Sequence, residues 1–66
     1  MKTIHPINEN TRILKTSTRT KQIGAIQTLT GNSWVTEVRR EYPLDIRVDP
    51  VPEMERLGKQ LGLIQL

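Results

Sequence analysis

The dipeptide Gly31-Asn32 constrains this chain more than any other feature, because β-prone residues flank it on both sides: Leu29-Thr30 before it, Ser33-Trp34 after it. A two-residue Gly-Asn connection tolerates the positive φ that a tight antiparallel hairpin demands. Pairing of residues 22–30 with 33–40 is therefore the expected centre of the fold. In the second run Trp34, Thr36 and Val38 alternate with Val35, Glu37 and Arg39. That period of two places Trp34 and Val38 on one face, toward the core.

Extended structure is expected through most of the first forty residues. Eight threonines (Thr3, Thr11, Thr16, Thr18, Thr20, Thr28, Thr30 and Thr36) mix there with Ile, Leu and Val, and branched side chains suit a pleated surface. Strands are expected at 11–16, 22–30, 33–40 and 44–48, with 2–5 adding a short one before Pro6. Ile23, Ile26 and Leu29 recur every three residues, which fits a strand bent by a bulge near Gly24. Leu44, Ile46 and Val48 alternate with Asp45, Arg47 and Asp49, the pattern of a half-buried strand.

Asp49-Pro50-Val51-Pro52-Glu53-Met54-Glu55 then reads as a helix start. Asp49 can cap, proline fits a first turn, and Glu53 and Glu55 suit the positive end of the dipole. Met54, Leu57 and Leu61 give a helical stripe, Gly58 or Gly62 ends it, and 63–66 can pair as a last strand. The expected core is Ile13, Ile26, Leu29, Trp34, Val38, Ile46, Val48, Leu57 and Leu61. The fold class is mainly β: a small antiparallel barrel with one short C-terminal helix, in a single domain over 1–66. Residues 1–10 are expected to be a flexible N-terminal segment.

Size limits what such a chain can do. A domain of 66 residues buries only about 60% of its unfolded surface, so one core must suffice. Cysteine is absent and His5 is the single histidine, which excludes disulfides and thiolate zinc sites. Only 35% of residues are hydrophobic, which favours a tight barrel or support from a partner surface. No apolar run approaches the ~18 residues of a membrane span, and residues 1–9 lack the apolar stretch of a signal peptide. The expectation is a soluble, cytoplasmic protein without membrane insertion.

Catalysis is not expected. Ser17 and Ser33 lie at predicted loops, His5 is near the terminus, and no nucleophile–base pair can be assembled from them. Gly31-Asn32 lacks the glycine spacing and Lys-Ser/Thr of a phosphate loop, and no cofactor site is recognisable. Charge is more informative. Residues 1–40 carry Lys2, Arg12, Lys15, Arg19, Lys21, Arg39 and Arg40 against Glu9 and Glu37, a net +5. Residues 41–66 carry Arg47, Arg56 and Lys59 against Glu41, Asp45, Asp49, Glu53 and Glu55, a net −2. The stretch from Lys15 to Lys21 interleaves three cations with hydroxyls, as phosphate contacts or an acidic protein surface would require. Lys15, Arg19, Lys21, Arg39 and Arg40 are the candidate partner- or phosphate-binding residues.

The order Arg12-Ile13-Leu14-Lys15, then Lys21-Gln22-Ile23-Gly24-Ala25-Ile26-Gln27-Thr28-Leu29, then Trp34-Val35-Thr36-Glu37-Val38 resembles a KOW motif of the SH3-like small barrels. Gly24 and Ile26 match the motif's glycine and the apolar residue two positions on. The resemblance spans residues 12–40 and implies a binding module. KOW-type barrels bind RNA or protein in ribosomes and transcription complexes, and related SH3-like barrels serve as small accessory subunits of photosynthetic complexes. Two functions are thus expected: a non-enzymatic module bound to a larger protein or protein complex, or a nucleic-acid-associated barrel holding RNA or DNA phosphates. With Trp34 and Tyr42 the sole aromatics, a base-stacking platform is poorly furnished, which favours the protein partner.

Overall fold

The computed structural model describes residues 1–44 and 49–64. Strands β1 (Lys2–Asn8), β2 (Thr11–Ser17), β3 (Lys21–Thr30) and β4 (Ser33–Pro43) are followed by the helix α1 (Pro50–Leu61). The strands form one four-stranded sheet in the order β1-β2-β3-β4, each pair antiparallel. The chain is mainly β with one short C-terminal helix. The segment 1–10, expected to be flexible with a short strand at 2–5, contributes the seven-residue edge strand β1. The strand expected at 44–48 falls largely outside the described residues, and Ile46 and Val48 with it.

Gly31-Asn32 forms the β3–β4 connection, with Thr30 paired to Ser33 across it. Gly31 has φ 61°, and among the described residues no non-glycine has positive φ, the pattern of a type II′ hairpin turn. The bend in this hairpin is not at Gly24, which pairs in register with both Lys15 and Arg40. The register shifts between Ile26 and Gln27: Ile26 meets Val38 while Gln27 meets Thr36. Glu37 is the extra residue, and an extra residue in one strand reverses the facing of the residues beyond it.

Helix α1 lies against β2 and β3 on one face of the sheet. Asp49 caps it as its sequence suggests, accepting the Val51 N–H at 3.1 Å. Gly62, at φ 78°, ends it with its N–H directed to the Gly58 and Lys59 carbonyls. The buried helical positions are Pro50, Met54 and Gly58, an i, i+4, i+8 stripe. Leu57 packs beside it, whereas Leu61 is 56% exposed. The helix is thus rotated from the Met54–Leu57–Leu61 stripe, because glycines let it approach the sheet closely. A Cβ on Gly24 would stand 2.7 Å from Met54 Cγ, and one on Gly58 would stand 2.8 Å from Ile64 Cγ1.

The core is Ile13, Ile26, Met54 and Ile64, with Ile7, Val38, Val51, Leu57 and Leu63 packed around it. Ile64 is no strand residue. Its N–H, like that of Leu63, bonds the Gly58 carbonyl and folds the chain back onto the core. Leu29 and Trp34, both expected in the core, pair with each other on the opposite face of the sheet.

Candidate functional site

The helix covers one face of the sheet, and among the described residues nothing covers the other. Strand parity defines the open face. Ile13, Gly24, Ile26 and Tyr42 touch α1 or its core, so their sequence neighbours Arg12, Leu14, Ile23, Ala25 and Glu41 point away, and Arg39 with them. Cross-strand register then places Ile4, Leu14, Ala25 and Arg39 in one row across the sheet. A second row runs Pro6, Arg12, Gln27, Thr36, and a third runs Lys2, Thr16, Ile23, Glu41.

The middle row is aliphatic. Ile4 is 52% exposed, Leu14 half-buried and Ala25 only 4% exposed. The row lies between the two others. On one side of it, Lys21 Nζ and Arg39 Nη1 both donate to the Glu41 carboxylate, Arg39 at 2.9 Å. The bond from Lys21, then that from Arg39, and the charge of both hold Glu41 below the usual carboxylate range.

On the other side, Arg12 Nε donates to Gln27 Oε1 at 2.8 Å, and its Cζ lies 4.1 Å from the Trp34 ring centroid. Lys2, Arg12, Lys21 and Arg39 against Glu41 leave this face at +3.

The five sequence-nominated cations do not form one patch. Lys15 points to the helix side and pairs with Asp49 at 3.7 Å. Arg19 is exposed in the β2–β3 turn. Lys21 and Arg39 meet on the open face through Glu41. Arg40 is on the helix side, lining a cavity of ≈120 Å³ with Tyr42, Glu53, Arg56, Leu57 and Gln60.

The basic loop is also shorter than its sequence suggests, since only residues 18–20 lie between strands. The Thr18 hydroxyl is committed there to the backbone, donating to the Lys21 carbonyl at 3.1 Å and accepting the Lys21 N–H at 3.2 Å. It closes the turn.

Arg12 was not among the nominated residues, although it lies on the open face with Lys21 and Arg39. The signal that finds it is register: Arg12 opposes Gln27, and the bulge at Glu37 turns Trp34 to the same side. Among the described residues no group of three or more His, Cys, Asp or Glu is placed to hold a metal, and no helix is long and apolar enough to cross a membrane. No protein-family model, curated protein or solved structure matches the chain.

Proposed function

We propose that this chain is a small non-enzymatic interaction module, an accessory subunit or regulator of a larger protein complex, and that it docks through its open sheet face. The observation that supports this most is the aliphatic row Ile4–Leu14–Ala25, flanked by charged residues on both sides and covered by none of the described elements. An apolar centre with a polar rim is the anatomy of a protein–protein contact.

The sheet edges support the same choice. An edge strand can add a partner's strand only if its backbone groups are free and regular. β1 carries Pro6 and a register shift at Ile7, and β4 carries the Glu37 bulge beside Arg39, Arg40 and Glu41. Both edges are guarded, whereas the face is not.

A nucleic-acid-associated barrel, the second reading, draws on the +3 charge of the same face and on the KOW-like order of residues 12–40, which falls on β2, β3 and β4. It weighs less because the face offers few stacking surfaces: its one aromatic, Trp34, already has Arg12 over its ring, and Tyr42 faces the helix. Bases need exposed aromatic planes.

The test is co-purification from native lysate with and without nuclease, using wild type, an Ile4→Asp/Leu14→Asp variant and Lys59→Glu on the helix. The module reading expects a nuclease-resistant protein partner lost only with the sheet-face variant. Partners released by nuclease from wild type would favour the nucleic-acid reading instead.

A further inference from the structure

Three strands cooperate to fix one side chain on the open face. Arg12, on β2, is held through Nε by Gln27 Oε1 on β3, and Gln27 Nε2 in turn donates to Thr36 Oγ1 on β4 at 3.2 Å. The guanidinium also lies over the Trp34 ring of β4, with Cζ 4.1 Å from the ring centroid. Both terminal Nη nitrogens of Arg12 are without a hydrogen bond or carboxylate among the described residues. Four other cations are already paired within the chain: Lys15 reaches Asp49, Arg56 reaches Glu53, and Lys21 and Arg39 share Glu41.

We infer that Arg12 is a carboxylate receptor: its free Nη edge takes an Asp or Glu side chain from a partner protein segment whose apolar residues sit on Ile4, Leu14 and Ala25. This rests on the reading of the open face as a docking surface. A guanidinium presents parallel N–H donors that match the two oxygens of a carboxylate, a geometry an ammonium does not offer. Fixing Nε and the ring plane in advance reduces the ordering cost of binding.

Charge selects the occupant. The +3 face attracts an acidic segment. A second copy of this chain, docked face to face, would set the same cations against each other. Nucleic acid would find phosphate contacts but an aliphatic row where its bases need planes.

The probe is a random-peptide display library selected on the wild-type protein, with the recovered peptides titrated against variants. Peptides should carry an acidic residue close to Leu, Ile or Val, and should lose binding to Ile4→Asp/Leu14→Asp. Arg12→Lys retains the charge and the alkyl packing but loses the fork, and should weaken binding roughly ten- to a hundredfold. Gln27→Leu leaves Arg12 in place without its Nε anchor and should give a smaller loss. Thermal unfolding of each variant shows that the fold persists.

Peptides that need Ile4 and Leu14 but bind Arg12→Lys as well as wild type would overturn the Arg12 inference and leave the docking face standing. Peptides indifferent to Ile4→Asp/Leu14→Asp, or a library yielding no binder, would overturn both. Single-stranded RNA or DNA that binds with a steep salt dependence abolished by Arg12→Ala would reassign the face to phosphate and overturn the carboxylate inference.

Discussion

Trp34 and Val38 lie four residues apart on β4 and on opposite faces of the sheet. Val38 meets Ile26 on the helix side, while Trp34 meets Leu29 on the open side. Glu37 stands between them as the unpaired residue of the bulge, and its carboxylate accepts the Thr28 hydroxyl at 2.7 Å. One inserted residue thus moves the single tryptophan from the core to the exposed face, where it supports Arg12. This relationship separates the residues that hold the fold from those available to a partner.

Core and face should respond oppositely to truncation. Ile13 and Ile26 are fully buried, and Ile→Ala at such a site costs about 2–5 kcal/mol, a large share of a small domain's stability. Trp34→Ala should remain folded, losing chiefly the Arg12 contact, worth about 0.5–1 kcal/mol where exposed. Urea unfolding of the three variants checks this. A Trp34→Ala variant that is unfolded while Ile26→Ala is native-like would reverse the assignment of faces.

Gly58→Ala offers a second test, because two effects compete. In an exposed helix interior the substitution would stabilise by about 1 kcal/mol. Here the new methyl would meet Ile64 Cγ1 at 2.8 Å and Ile26 Cδ1 at 3.1 Å, and overpacking a close-fitting core costs about 1–3 kcal/mol. A net loss is expected, with a lower urea midpoint. A gain would mean that the helix does not approach the sheet this closely.

The helix start gives a third. Asp49 accepts the Val51 N–H and also receives Lys15 at 3.7 Å. Asp49→Ala should lower stability by about 0.5–2 kcal/mol, and Asp49→Asn, which can still cap, should recover most of it. Equal losses in both variants would assign the effect to the ion pair rather than the cap.

Acid should loosen the Lys21–Glu41–Arg39 cluster. Glu41 has a folded-state pKa below its unfolded value, first through the hydrogen bond from Lys21 and then that from Arg39. Its contribution is therefore fully present above the ordinary Glu pKa and is lost as pH falls through the depressed one. Wild type and Glu41→Gln should differ in stability at neutral pH and converge in acid. A difference that grows on acidification would contradict the assignment.

Most of the backbone plan was legible in local chemistry: the Gly31 turn, the Asp49 cap, the Gly62 stop and the runs of branched residues each fix a conformation without reference to distant parts of the chain. What was not legible depends on contacts between elements. A bulge shows no residue-type signature when the extra residue is an ordinary Glu37, so alternation alone placed Trp34 inside. Gly24 suggested a bend because its packing partner, Met54, is thirty residues away. The nominated cations were grouped by proximity in sequence, yet strand parity sends Lys15 to one face and Lys21 to the other. Arg12, apart in sequence from the other cations, acquires its setting only through Gln27 and Trp34.

The central claim is that the open face, not the helix side, receives the partner. Amide and methyl chemical shifts of the labelled protein, recorded while a library-selected peptide is titrated in, test it most directly. Perturbations concentrated at Ile4, Arg12, Leu14, Ile23, Ala25 and the Trp34 indole, with α1 unchanged, are the predicted result. Perturbations centred on Arg40, Tyr42, Arg56 and Gln60, around the cavity on the helix side, would contradict it.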